Sequence, residues 1–300
     1  MEFSIETNNL SKNFGNVQAV QNVNLHVKKG EIYSFLGLNG AGKTTTIRAL
    51  LGMIRPSEGN VKVLGQELGR GGRGPWAQVG YMVESPSAYP ELSVRENLEV
   101  ARRLHGLQNP KVVDDVLEQL SITKYADRKA GTLSSGNFQR LGLARAMMHK
   151  PALLILDEPA NALDPAGIVE IREMIIQLAR EHGMTIFMSS HNLTEVDKLA
   201  DRIGIIHKGK LIEELDADRL EIIRARQLIV DIHDLMKACD VLKNFQVVQL
   251  GEHRIAIQDR RAIEAPDTIA TLLVNAGVPP YRLAIEQEDL ENYFLHLTAD

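Results

Sequence analysis

The octet Gly37-Leu38-Asn39-Gly40-Ala41-Gly42-Lys43-Thr44 sets glycines, a lysine and a hydroxyl in the spacing G-x-x-x-x-G-K-[ST]. Glycines let backbone N–H groups close around phosphate oxygens, because a Cβ would block the approach. A lysine adds a point charge at the β- and γ-phosphates, and a threonine hydroxyl suits Mg²⁺. Chemistry of this kind needs a strand before the loop and a helix after it. Glu31 to Leu36 reads as a short β-run stopped by Gly37, and Thr45 to Met53 has helical character. That helix would aim its positive end at the phosphates, with Thr45 joining Thr44 in the nucleotide-binding set. By itself this cradle admits kinases, GTPases and motor proteins alike.

A second group lies at Leu153-Leu154-Ile155-Leu156-Asp157-Glu158, an apolar run ending in two acids. A buried strand that delivers carboxylates at its end suits a metal and a water at the edge of a sheet. Asp157 would hold Mg²⁺, directly or through water, and Glu158 would polarise the attacking water as general base. Adjacent acids at a strand end also occur in ordinary turns. Their pairing with the phosphate cradle favours the chemical reading.

The elements that must position these groups alternate between strand and helix, the pattern of an α/β fold with a mainly parallel sheet. Residues 3 to 36 read as short strands with polar turns, and further strand pieces surround Val61 to Leu64 and Val79 to Met82. A glycine-rich surface loop, Gly69 to Pro75, lies between those pieces. From about residue 88 to 150 the pattern is helical, opening at Ser93-Val94-Arg95-Glu96, which has the form of a capping box. The helix Pro165 to Glu181 separates Leu153–Leu156 from a β-run at Thr185 to Ser189.

After about residue 215 the texture changes. Strands are expected at 227–232, 245–250, 254–258 and 281–285, with helices at 234–243, 266–275 and 288–297. The order βαββαβα is that of a small α+β accessory domain, 216–300, of ferredoxin-like type.

Leu133-Ser134-Ser135-Gly136-Asn137-Phe138-Gln139-Arg140 resembles the LSGGQ signature of ABC (ATP-binding cassette) ATPases. A P-loop NTPase core over residues 1–215, with a helical subdomain at about 88–150, is the fold this implies. In that family the signature segment, here Ser134, Ser135, Gly136 and Asn137, faces the nucleotide held by a second ATPase subunit, giving a nucleotide-sandwich dimer. Asn161-Ala162-Leu163-Asp164 resembles the D-loop, which implies a place for Asp164 at the dimer interface. Ser189-Ser190-His191 resembles the switch-histidine segment, which implies that His191 contacts the γ-phosphate. Phe14 resembles the aromatic that stacks on adenine, a position more often tyrosine. The family's Q-loop departs here, since Gly80-Tyr81-Met82-Val83 is followed by Glu84 rather than glutamine. A carboxylate can still reach the metal and the water, at the cost of extra negative charge beside the phosphates. Glu84 to Ser93 is similar to ATPases of bacitracin and lantibiotic self-protection exporters.

ATP and Mg²⁺, an integral membrane permease as a separate chain, and export as the direction of transport are therefore implied by resemblance. The alternative is a soluble ABC ATPase acting on ribosomes or DNA. Net charge is −5 with a pI near 6.0, which argues against a nucleic-acid partner. A lone cysteine, Cys239, excludes an intrachain disulfide and fits a reduced compartment. The amino terminus lacks the basic and apolar regions of a signal peptide. Leu153–Leu156 and its neighbours fall far short of the ~20 apolar residues of a spanning helix. A cytoplasmic protein, peripheral on the inner face of the cell membrane, is the expectation.

Overall fold

The computed structural model describes residues 2–69, 74–84, 86–161, 163–216, 226–287 and 290–298. Arg70 to Arg73 of the glycine-rich loop, Ser85, and Ala162 lie outside the described residues. The chain divides into two compact units, Met1–Ala217 and Asp218–Asp300.

The first unit opens with strands β1 (Phe3–Phe14), β2 (Val17–Val23), β3 (His26–Lys28) and β4 (Ile32–Leu36), then helix α1 (Lys43–Leu50). Strands β5 (Glu58–Val63), β6 (Gln66–Glu67) and β7 (Val79–Met82) follow. Helices α2 (Val94–Leu104), α3 (Lys111–Gln119) and α4 (Ser135–Met147) occupy the helical stretch. The capping box at the start of α2 has both of its reciprocal bonds, Glu96 N–H to Ser93 Oγ and Ser93 N–H to Glu96 Oε2. The unit then runs through β8 (Leu153–Asp157), α5 (Pro165–His182), β9 (Thr185–Ser190), α6 (Leu193–Leu199), β10 (Arg202–His207) and β11 (Lys210–Asp216).

Two sheets result. One has the order β11-β10-β4-β9-β8-β7, parallel throughout except for the antiparallel edge pair β10–β11. Its inner strands are buried on both faces, which is why they read as unbroken apolar runs. Leu153 and Ile155 of β8, Tyr33 and Phe35 of β4 and Phe187 of β9 pack with α1 and the antiparallel strands. Leu154 and Leu156 of β8 and Ile186 and Met188 of β9 turn the other way, toward α4 and α5.

The second sheet, antiparallel with order β2-β1-β5-β6 and β3 also on β1, was expected only as short strands. Instead β1 runs for 12 residues. Its first half pairs with β3 and β5 and its second half with β2, with register shifts between. Asn9 sits at φ 50° at that change of partner. A bulge of this kind bends one strand so that it serves two neighbours, and no sequence period announces it.

The second unit comprises β12 (Arg226–Asp231), α7 (Leu235–Val241), β13 (Val247–Gln249), β14 (Arg254–Ile257), α8 (Arg260–Glu264), α9 (Pro266–Asn275), β15 (Arg282–Gln287) and α10 (Leu290–Thr298). The strand order is β13-β14-β12-β15, every pair antiparallel. Helix α8 is the element missing from the sequence reading. It is a short turn started by Asp259, whose carboxylate accepts from Arg261 N–H. Leu228, Val230, Ile255 and Ile257 form its core with Ile269 and Leu273 of α9.

Candidate active site

In an open parallel sheet the carboxyl ends of the strands gather at one rim, where ligands bind. The register here brings four such ends level. Leu36 of β4 pairs with Ser190 of β9, Asp157 of β8 with Ser189, and Met82 of β7 with Leu156. Gly37, His191 and Glu158 come immediately after three of these ends, and Glu84 two residues after the fourth. Groups far apart in the chain therefore meet because β-pairing aligns their strands.

The loop from Gly37 to Gly42 curls back over β4, with Leu38, Asn39 and Gly40 exposed and Ala41 buried. Gly42, at φ 107°, is where a side chain is least tolerable, since a Cβ would lie 2.6 Å from the Ala19 carbonyl. Helix α1 starts at Lys43, so the loop's amides precede a helix N-terminus, the arrangement that holds anions. Lys43 is 5 % exposed. Its Nζ donates to the carbonyls of Gly37 (2.6 Å) and Leu38 (3.2 Å) and lies 3.0 Å from Glu158 Oε1. Thr44 and Thr45 are half-buried on the first turn.

Glu158 stands at the centre. One carboxylate oxygen meets Lys43 and the other meets His191 Nδ1. Its backbone sits at φ 51°, in the left-handed region, which costs a non-glycine residue about 1 kcal/mol or more. A hydrogen bond offsets this, as Glu158 N–H donates to Ser189 Oγ at 2.9 Å. Ser189 in turn donates to Asp157 Oδ1 at 2.6 Å. Ser189 is fully buried and ties both acids of β8 to the neighbouring strand. The sequence reading named it only as a neighbour of His191; a hydroxyl opposite an acid in the next buried strand was the available signal.

Other expected residues stand apart from this chain of contacts. Glu84, also at positive φ (61°), pairs with Arg48. Arg48 lies one helical turn beyond Thr44, so the pairing holds the Glu84 loop against the face of α1 that carries Thr44. Phe14 ends β1 with its ring 51 % exposed and Lys12 Nζ 5.0 Å from its centroid, an open aromatic face rather than a core residue. Ser134 caps α4, accepting from Asn137 Nδ2 at 2.9 Å, and leaves Ser135 exposed beside it. A Cβ on Gly136 would meet nothing within 4 Å, so that helix start faces open space. Asp164 caps α5 through Gly167 N–H at 2.9 Å. Gln139, buried on α4, donates to the Pro159 carbonyl at 2.7 Å and thereby links the signature helix to the loop after Glu158.

The groups that could hold a cation offer oxygens: the Thr44 hydroxyl and the carboxylates of Asp157 and Glu84. Hard oxygen sets of this kind fit Mg²⁺ rather than a softer metal. No cluster of His, Cys, Asp and Glu able to hold a metal by itself occurs among the described residues. A magnesium ion would therefore be completed by phosphate and water.

A phosphate cradle at the switch point of a parallel sheet, with an acid and a histidine on adjoining strand ends, defines a P-loop ATPase. Residues 20–161 match the family model described as ABC transporter. The chain is 38 % identical to the bacitracin transport ATP-binding protein BcrA of Bacillus licheniformis, over 99 % of this chain and 98 % of the relative. It is 38 % identical to the lantibiotic transport ATP-binding protein SrtF of Streptococcus pyogenes over 72 % of this chain and 93 % of that one. The dimeric structure of a bacterial ABC transporter cassette superposes with a TM-score of 0.64 at 25 % identity, covering 71 % of this chain and 98 % of that one. The chain belongs to the ATP-binding proteins of ABC transporters, and it is an ATPase. Among the described residues no helix is long and apolar enough to cross a membrane.

Proposed function

We propose that this chain powers a separate membrane permease in an ABC exporter, two cassettes closing around two ATP molecules on the cytoplasmic face of the membrane. The observation that carries the reading is the contact of Glu158 with both buried Lys43 and His191 at the rim of the sheet. Lys43 and the loop amides grip the β- and γ-phosphates, and Phe14 stacks on the adenine. Lys43 then exchanges Glu158 for phosphate, and the freed carboxylate accepts the proton of the attacking water. His191 keeps Glu158 aimed and contacts the γ-phosphate. Thr44 and Asp157, with Glu84 at the edge, would hold Mg²⁺, which when bound would neutralise phosphate charge. Ser134, Ser135, Gly136 and Asn137 meet the nucleotide of the opposing subunit, across an interface that includes Asp164.

The named relatives support transport of a peptide antibiotic or a similar drug-like molecule, and none points to a ribosome or to DNA. The unit Asp218–Asp300 is read as a ferredoxin-like accessory domain. The test is a mild-detergent pull-down of the tagged chain from its own cells, with partners identified by mass spectrometry. A multi-span membrane protein is expected. Recovery of ribosomal or DNA-bound proteins alone would overturn the transport assignment and leave the ATPase standing.

A further inference from the structure

His191 meets Glu158 with a side chain that is 44 % exposed, so its aim depends on the backbone beneath it. The residues on either side of it are tied together, since Asn192 N–H donates to Ser190 Oγ at 2.9 Å. Asn192 then caps α6, its side chain accepting from Glu195 N–H at 3.1 Å. Where the first turn of α6 goes, His191 goes too.

Packing alone holds that turn weakly. Helix α6 has seven residues, with Val196 and Leu199 buried, and a helix so short is marginal on its own. A cavity of about 170 Å³ is lined by Ile168 and Ile171 of α5, Met188 of β9 and Leu199 of α6, and it reaches Glu158 and His191. Atoms that face a void lose the contacts that close packing would supply.

A directional bond joins the two helices that line it. Arg172 Nη1 of α5 donates to Glu195 Oε2 of α6 at 2.9 Å, the side chains being 17 % and 13 % exposed. Arginine–carboxylate bonds are among the stronger hydrogen bonds, and at this depth salt screens them little. Lys198, half exposed, stands farther from the same carboxylate, at 3.9 Å. Arg172 is itself well anchored. Helix α5 has 18 residues and packs Ile171, Ile175 and Leu178 into the same core as Leu154 and Leu156 of β8. Glu170, on another side of α5, pairs with Arg140 of α4.

We infer that Arg172 is a positioning residue for hydrolysis: through Glu195 it holds the first turn of α6, and so His191, where the imidazole meets Glu158 and a γ-phosphate. This rests on the role proposed above for His191. Helix α5 also starts directly after Asp164, so the residue read at the subunit interface and the one that aims His191 share a helix.

The test measures phosphate release, ATP affinity and Tm on the full-length chain. Arg172→Met keeps most of the length and removes the charge. Its kcat should fall by about tenfold or more, because small displacements of a reacting group cost that much. Its ATP Kd should stay within about threefold, since the phosphate cradle is untouched. An unchanged kcat overturns the inference. Arg172→Met/Glu195→Met removes the carboxylate that the single variant leaves unpaired, so Tm should return while kcat stays low. If kcat returns with Tm, the pair is merely structural and the inference fails.

A cycle with His191→Ala separates the inference from the reading beneath it. In that background Arg172→Met should change slow single-turnover hydrolysis by less than about twofold, as expected of residues that act as one unit. A loss that adds in full overturns the inference and leaves His191 in its role. If His191→Ala hydrolyses ATP normally, that role falls and the inference with it. The ring nitrogen resonances of His191, identified by their absence from His191→Ala, give a readout independent of turnover. They should shift in Arg172→Met and in the double variant; resonances unchanged in both overturn the inference.

Discussion

Glu158→Gln tests the link between the rim geometry and nucleotide binding. Glu158 and a phosphate compete for the same ammonium, because Lys43 Nζ lies 3.0 Å from Glu158 Oε1 at a site where both side chains are largely buried. Coulomb attraction at that distance is about 5.5 kcal/mol at an effective dielectric of about 20. Desolvation of the two charges offsets most of it, leaving a net coupling of about 1–2 kcal/mol. Replacing the carboxylate by an amide frees that amount for phosphate, so ATP should bind about 5- to 30-fold more tightly. The same change leaves a buried ammonium without its counter-charge. Glutamine still accepts a hydrogen bond, which puts the loss near the lower end for a broken buried pair, about 3 kcal/mol. For a unit of this size that is about 6–12 °C in Tm without added nucleotide, recovered when ATP is added. Hydrolysis should fall by about 100-fold or more once the general base is gone. Fluorescent nucleotide titration, thermal unfolding with and without ATP, and phosphate release measure the three effects. If ATP affinity and the nucleotide-free Tm are both unchanged, the ion pair does not govern phosphate access and the exchange mechanism is wrong.

Further outcomes follow from neighbouring groups. Phe14→Ala should weaken ATP binding by about 5- to 100-fold, the worth of one base stack, with little change in Tm because the ring is exposed; Phe14→Tyr should retain affinity. Ser189→Ala strips partners from Glu158 N–H and Asp157 Oδ1 at once, at about 1–3 kcal/mol per unsatisfied group. It should lower Tm and kcat while leaving the ATP Kd within about threefold, whereas unchanged turnover would remove Ser189 from any positioning role. Glu31 supplies a pH test, since burial raises its carboxyl from 4.5 to about 7 despite a hydrogen bond from Lys28 N–H. The folded chain holds this proton more tightly than the unfolded one. Its stabilising effect is therefore complete below about pH 4.5, drains as pH rises through about 7, and changes no further above that. Glu31→Gln should match the unmodified chain near pH 4 and exceed it by about 3 kcal/mol near pH 8; a difference independent of pH would refute the assignment.

Residues that act through their immediate neighbours are legible in the sequence alone. The cradle from Gly37 to Thr44 needs particular backbone freedom at fixed positions along one short loop. The capping box at Ser93 and Glu96, the paired acids after Leu156 and the alternation of strand and helix are likewise written in adjacent residues. Apolar runs such as Leu153–Leu156 declare a strand buried on both faces for the same reason. Phe14 could be named but not placed, because an aromatic at a strand end serves a core or a ligand equally well until its exposure is seen.

What the tertiary structure decided is which distant groups touch. Lys43, Glu158 and His191 form one contacting set because β4, β8 and β9 share a register, and register is set by pairing across the whole sheet. Ser189 gains its role from facing Asp157 on the next strand, and the bend in β1 arises from having to serve two sets of partners. Arg145 looks like any helical arginine in sequence; only the fold places it on the floor of a groove, where its guanidinium reaches the Ser87 hydroxyl and has no carboxylate partner among the described residues. Short-range backbone chemistry repeats wherever its residues recur in order and can be read as text. Pairing across a sheet and burial depend on the packing of the entire chain, so the contacts they create exist only once it has folded.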